Sequence, residues 1–450
     1  MRTRRVIAGI GIFGLAAAGA ALALAWRPAI APVPPPAPAS FDPALVRRGA
    51  DLALIGDCRT CHTTSGGAAF AGGLPLPTPF GTLYSTNITP DPETGIGRWS
   101  EAAFARALRE GVDREGRHLY PAFPYDHYSA TSDDDVRALY AFFMTRPAVA
   151  ATPPPNELPF PLNIRLTLAG WKLLFLHPRD LAPDPTKDAV WHRGRYLVEG
   201  LGHCGACHSP RNLLGAEVVS RAYEGGEAEG WRAYALGAAS RAPVPWDEAA
   251  LTQYLREGFH PLHGVARGPM APVVENLAAV PREEVVAMAR YLASLGAGSG
   301  TATPPLDPSS GPGQAPQSAG MQAAIEGAGT DLYAATCAAC HEGERPPPFG
   351  GVSLALSTAI SGESPRNLVN VILEGLPARG GTGQPIMPGF GAVLTDAQVA
   401  SLAAGLRRRF GGGAPWPDLE PAIREARAAR HLAARPAAAI TPAMTPAMTR

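Results

Sequence analysis

All six cysteines of the chain fall in three copies of one pattern: Cys58-Arg59-Thr60-Cys61-His62, Cys204-Gly205-Ala206-Cys207-His208 and Cys337-Ala338-Ala339-Cys340-His341. With 6 Cys and 11 His in 450 residues, random placement yields roughly 0.002 copies of Cys-x-x-Cys-His. Two thiols a turn apart reach the two vinyl groups of one porphyrin edge as thioethers, and the adjacent imidazole turns under the ring to bind iron. Each copy reads as a c-type haem attachment site. The three pairs of cysteines would carry three covalently bound haems, with His62, His208 and His341 on the irons. A zinc site or an iron–sulfur cluster needs four ligands, which no motif can assemble without emptying another. No cysteine is left over for a disulfide or a nucleophile.

The sixth iron position calls for a soft or imidazole ligand downstream of each motif. Gly268-Pro269-Met270 and Ile386-Met387-Pro388 supply a methionine in the second and third copies, and Met/His ligation raises the iron potential. Buried filler is the ordinary use of methionine, yet only 8 occur in the chain and two occupy this slot. The first copy breaks the pattern: counting back from its closing helix by the spacing of Met387 arrives at Pro124, inside Leu119-Tyr120-Pro121-Ala122-Phe123-Pro124-Tyr125-Asp126-His127. His127 is the expected ligand there, on a turn bracketed by prolines, with His118 and Met144 as alternatives.

These ligands need scaffolding, and the scaffold repeats. Trp99-Ser100-Glu101 through Glu110-Gly111 returns 147 positions later as Trp246-Asp247-Glu248 through Glu257-Gly258, and Asn367 to Gly375 keeps its core in the third copy. Helical spacing, a Ser100 or Asp247 N-cap and a terminal glycine predict one helix per copy. Closing helices are expected over Asp133–Met144, Arg282–Leu295 and Asp396–Arg407, with acidic first turns. Short helices precede the first two motifs, where Gly49 and Gly194 allow close approach and Tyr140 and Tyr291 are candidates to pack on them. The implied fold is all-α: three tandem class I cytochrome c domains joined by Pro-rich linkers, after an N-terminal signal or anchor helix.

The chain carries 39 Lys+Arg against 39 Asp+Glu, so nothing in its balance asks for nucleic acid. It also has 50 Gly and 48 Pro, which excludes one compact core. Met1-Arg2-Thr3-Arg4-Arg5 precedes an uncharged run over 6–26, long enough either to stay as a membrane anchor or to serve as an export signal. The divisions that follow are 1–40 for signal or anchor plus polyproline spacer, 41–150 for the first domain and 151–188 for a linker. The second domain takes 189–298, a linker 299–318, the third domain 319–412 and a low-complexity tail 413–450. Within the first linker, Pro159 to His177 is apolar but interrupted by Arg165 and Lys172, which suits inter-unit packing or a docking surface.

Leu119 to Tyr125, Tyr196-Leu197-Val198-Glu199-Gly200-Leu201-Gly202-His203 before the second motif and Ser209-Pro210-Arg211-Asn212 after it resemble the triple-haem cytochrome c subunits of membrane-associated bacterial dehydrogenases. The resemblance implies an electron-transfer subunit rather than an enzyme. A dehydrogenase catalytic subunit would donate electrons, and quinone or a downstream cytochrome or oxidase would accept them, on the periplasmic face of the inner membrane. Relatives serving quinoprotein alcohol or flavin-dependent sugar dehydrogenases commonly have Met where this chain has Phe123. The Phe-Pro-Tyr-Asp-His variant is more similar to cytochromes paired with molybdenum hydroxylases. A peroxidase-like haem enzyme is the contrasting class, disfavoured because methionine caps leave two irons without an open site.

Overall fold

A computed structural model describes residues 26–179, 181–296, 321–342, 350–377 and 386–433, with Gly19, Ala23, Ala25 and Pro348. The run 6–26 lies almost entirely outside these residues, and the Pro-rich stretch 299–320 and the Thr441 to Met448 repeat lie wholly outside them. Among the described residues no helix is long and apolar enough to cross a membrane.

The chain forms two compact units: residues 1–182 with 199–203, and residues 183–198 with 204–450. The first unit opens with α1 (Pro43–Ile55), whose N-terminus is capped by Asp42 accepting from the Ala44 N–H at 2.8 Å. The motif helix α2 (Cys58–Cys61) and the hairpin β1 (Pro75–Thr78)–β2 (Gly81–Tyr84) follow. Next come α3 (Glu101–Glu110), the one-turn α4 (Tyr125–Tyr128) and α5 (Asp133–Met144). Leu52, Phe104, Leu108, Leu139, Phe142, Phe143 and Leu201 share one apolar core, against which Cys58 and Phe123 pack. The unit ends with α6 (Leu168–Phe175).

The second unit repeats the plan twice. Its first copy runs α7 (Ala189–Tyr196), α8 (Gly205–His208), β3 (Gly226–Ala228), β4 (Trp231–Ala233), α9 (Glu248–Glu257), β5 (Phe259–His260), β6 (Gly264–Val265), α10 (Met270–Ala279) and α11 (Arg282–Gly296). Its second copy runs α12 (Met321–Thr336), α13 (Ala338–His341), α14 (Arg366–Glu374), α15 (Asp396–Leu406) and α16 (Leu419–Ala433). Each copy is helix-rich, as expected of an all-α fold, and among the described residues short two-stranded hairpins add to the helices in the first and second copies.

One packing device recurs: the helix before each motif crosses the closing helix at a glycine. A Cβ on Gly49 would lie 2.0 Å from the Ala138 carbonyl oxygen, on Gly194 1.9 Å from that of Ala287, and on Gly329 2.1 Å from that of Ser401. Tyr291 flanks this contact as expected, whereas Phe142 replaces Tyr140 in the first copy. Tyr140 turns instead to Phe41 and Phe104 and donates its hydroxyl to the Trp99 carbonyl at 2.8 Å. Beside the glycines, Arg48 donates from Nε to Asp135 at 2.8 Å, and Arg193 grips Glu284 through two 2.8 Å bonds.

Three expectations need correction. The stretch 26–40 is a strap on the first unit rather than a stiff spacer: the Ile30 N–H donates to Arg114 O at 2.8 Å, the Val33 N–H to Arg98 O at 3.0 Å, and Arg106 reaches Pro28 O at 2.7 Å. An extended proline-rich strand leaves its backbone groups for other elements to satisfy. The segment 151–188 packs within the first unit, where Lys172 of α6 donates to the carbonyls of Glu110 and Gly111, both at 2.6 Å. The supposed tail contains α16, held by Trp416 donating to Gly362 O at 3.1 Å and by Arg427 on the carbonyls of Gly391 and Leu394. Ile423 of α16 is buried in the core of the third copy.

Candidate functional site

Each motif histidine meets a backbone carbonyl through Nδ1. His62 bonds to Thr86 O at 2.6 Å, His208 to Tyr234 O at 2.6 Å and His341 to Val352 O at 3.2 Å. A carbonyl only accepts, so Nδ1 carries the proton and Nε2 keeps its lone pair, the tautomer an axial ligand requires. Burial depresses the pKa of all three rings, which favours the neutral, metal-binding form. The orienting carbonyls leave no side-chain signature, so motif reading could not find them.

The six cysteines are not bridged to one another. Burial, with help from Asp57 and Cys61, pushes the Cys58 thiol up to about 12, and burial with Cys207 does the same for Cys204. The residue before each of these motifs sits in the left-handed region, Asp57 at φ 51° and His203 at φ 39°, so the first two motifs leave their preceding segments by the same turn. A reduced thiol pair followed by an Nδ1-anchored imidazole is the donor set that covalent haem c uses, and the residues fit that group three times.

The loops expected to supply the sixth ligands are positioned by the repeated helices α3, α9 and α14. Ser100 and Asp247 cap the first two as expected, accepting from the N–H groups of Ala103 and Ala250. Gly111, Gly258 and Gly375 end the three at φ 61°, 71° and 73°. The next residue then pairs back onto the loop, as Val112 with His118, Phe259 with Val265 and Leu376 with Met387. Phe123, Met270 and Met387 each stand 12 residues after the capping glycine of their copy, so Phe123, rather than Pro124, is the counterpart of Met270. Met270 opens α10 and is half-buried. Met387 is held by two backbone bonds to Leu376, at 2.8 and 3.0 Å.

His127 does not present a free nitrogen to the first motif. Its ring is 1% exposed; Nδ1 donates to Glu199 O at 2.9 Å and Nε2 accepts from Arg179 Nη2 at 3.2 Å. Those partners lie 72 and 52 positions away in sequence, beyond the reach of any local count. His118 is engaged in the same manner, Nε2 donating to Ala25 O at 2.8 Å and Nδ1 facing Lys172 Nζ at 3.1 Å. Met144 stays inside α5, buried in the core. Phe123 fills the slot instead, edge-on to Tyr128 at 5.3 Å.

Comparison with known proteins places these sites in context. The family described as "Cytochrome C oxidase, cbb3-type, subunit III" matches residues 325–404, which contain the third motif and Met387. The chain is 47% identical over 422 residues to a subunit of nicotinate dehydrogenase from Pseudomonas putida, covering 93% of this chain but 35% of that relative. It is 41% identical to the gluconate 2-dehydrogenase cytochrome c subunit of Pantoea cypripedii, covering 82% of this chain and 87% of that one. It is 36% identical to the fructose dehydrogenase cytochrome subunit of Gluconobacter japonicus, with 84% and 81% covered.

Proposed function

The chain belongs to the cytochrome c subunits of bacterial dehydrogenases, and from that premise we propose that it carries three haems c and relays electrons from a catalytic subunit to quinone or a downstream cytochrome or oxidase. It is an electron-transfer subunit rather than a catalytic one, as these relatives are. The observation that carries the triple-haem reading is the carbonyl bonded to Nδ1 of His62, His208 and His341 beside three reduced cysteine pairs. Bound haem supplies a one-electron iron couple, tuned by its axial ligands.

The residues then divide the work. Each Cys-x-x-Cys pair would fix one edge of the ring, and each Nδ1 bond fixes the orientation of the imidazole that would bind the iron. Met270 and Met387 are the proposed sixth ligands of the second and third irons, which favours their ferrous states. Phe123 has no donor atom, so the first iron lacks a thioether and is the lowest of the three in potential. That order suits the first site as the point of electron entry.

The partner proposed is a molybdenum hydroxylase acting on an aldehyde or an N-heterocycle. Support comes from the Phe123-Pro124-Tyr125-Asp126-His127 string and from the similarity to the nicotinate dehydrogenase relative. The complex isolated through a tag on this chain is expected to contain molybdenum and to reduce all three haems when substrate is added anaerobically. A complex carrying flavin or a quinone cofactor without molybdenum would overturn the partner assignment. Fewer than three haem mass increments on the mature chain would overturn the count.

For location, we propose the periplasmic face of the inner membrane. The strap ties the end of the apolar run to the first unit through Ala25 and His118, and His118 contacts Lys172 of α6. Beside Lys172 on that helix, Leu173 is 81% exposed, and Phe160 in the preceding segment is 79% exposed. An apolar surface on the unit that holds Ala25, at the end of the apolar run 6–26, suits contact with a bilayer.

A further inference from the structure

We propose that α14 and its glycine cap hold both axial-ligand loops of the second haem site, so that the third copy sets the potential of the second haem. This rests on the haem assignment above. On the proximal side, the Arg232 N–H donates to Asn367 Oδ1 at 2.8 Å and Asn367 Nδ2 donates to Arg232 O at 2.9 Å. Asn370 Nδ2 donates to Gly230 O at 3.1 Å. Both asparagines are buried. Their fork closes on β4 and its turn, two residues before Tyr234, whose carbonyl accepts from His208 Nδ1.

On the distal side, Arg267 stands three residues before Met270. Its Nε donates to Gly375 O at 3.0 Å and its Nη2 reaches Glu374 at 3.3 Å. Gly375 is the cap whose φ of 73° brings Leu376 into register with Met387, and a Cβ there would lie 2.4 Å from the Met387 carbonyl oxygen. One guanidinium therefore joins the two methionine loops. Two buried asparagines with their bonds made to backbone specify one docking geometry, which apolar packing alone does less sharply.

The two ties act on the second iron with opposite sign. A firm carbonyl bond to Nδ1 makes the imidazole more basic and stabilises ferric iron; slackening β4 raises the midpoint. A fixed cation beside the methionine loop disfavours ferric iron; losing it lowers the midpoint. Asn367 and Arg267 are thus positioning residues, since neither is proposed to touch iron.

The test is a potentiometric titration of the full, haem-loaded chain. Asn367→Ala is expected to move the second site's midpoint upward and leave the third in place. Arg267→Ala is expected to move the second downward and to weaken the Met-to-iron charge-transfer absorption of both sites. Arg267→Lys keeps the charge but loses the fork, so it should spare the midpoint more than the absorption. A merely structural joint would leave all midpoints where they were, and that result in both alanine variants overturns the proposal. Should Asn367→Ala fail to mature, Asn370→Ala, which removes the single bond to the turn, is read the same way, and an unmoved second midpoint overturns the proposal. The titrating step itself is assigned by Cys204→Ala with Cys207→Ala. If that step persists, the haem assignment fails; if it vanishes and the other variants never moved it, only the clamp fails.

Discussion

A neutral imidazole binds iron through Nε2 when its proton sits on Nδ1, and a carbonyl opposite Nδ1 secures that arrangement. Three carbonyls do so here, from Thr86, Tyr234 and Val352. The contrast with His127 and His118 is the same physics in reverse. Both nitrogens of each ring are engaged by protein groups, and the lone pair that iron would need is already accepting from Arg179 or facing Lys172. Spacing along the chain made His127 attractive; in the fold its ring turns to Glu199 and Arg179 instead. At this scale the methionines can be tested directly. Met270→Ala and Met387→Ala should each remove about half of the Met-to-iron charge-transfer absorption and lower one midpoint, on the proposed ligation of two irons by thioethers. Phe123→Met should add a third share, because residue 123 occupies in the first copy the place of Met270 in the second. Absorption unchanged by Phe123→Met would show that the slot in the first copy no longer faces the haem.

Among elements, the crossing of opening and closing helices carries each copy. The glycine at each crossing leaves no room for a methyl group, and an Arg–carboxylate pair stands beside it in the first two copies. Gly194→Ala gains up to about 1 kcal/mol of helix propensity. Its Cβ would however lie 1.9 Å from the backbone oxygen of Ala287, and spreading the pair costs roughly 1–3 kcal/mol of packing. The net outcome is a loss, seen as a lower midpoint of thermal unfolding of the second unit. Gly296→Ala, where nothing lies within 4 Å, is the matched control and should be near neutral. Equal melting of the two variants would mean that the crossing can relax. Two of these glycines, Gly49 and Gly194, were legible from their place before the motif; Gly329 was not, because the third copy's opening helix lacks the flanking pattern of the other two.

For the whole molecule, three sequence repeats have become two compact units. The second and third copies share one because buried asparagines and Arg267 tie them, whatever the length of the linker between. The first copy keeps its strap and α6, and with them the surface proposed to meet the membrane. Mature protein is expected to begin near Met1 and to stay with membranes in high salt. The double change Leu173→Glu and Leu174→Glu should weaken the residual membrane binding of a form whose apolar run 6–26 has been replaced by a cleavable signal. A mature N-terminus at Trp26 or beyond, with the protein free in the periplasm, rejects the anchor.

The three Cys-x-x-Cys-His motifs, the repeat offset of 147 and the caps at Ser100 and Asp247 were all readable in the chain. They depend on contacts between residues near in sequence, or on covalent chemistry that demands a fixed spacing. What came only with the tertiary structure depends on direction and on distant partners. The ring of His127 points at residues 179 and 199, the proline-rich strap lies on Arg98 and Arg114, and residues 419–433 fold back as α16. The tie between Arg267 and Gly375 spans 108 positions. No local pattern encodes such pairs, because their energy arises only when separate segments close on one another and must satisfy each other's buried polar groups.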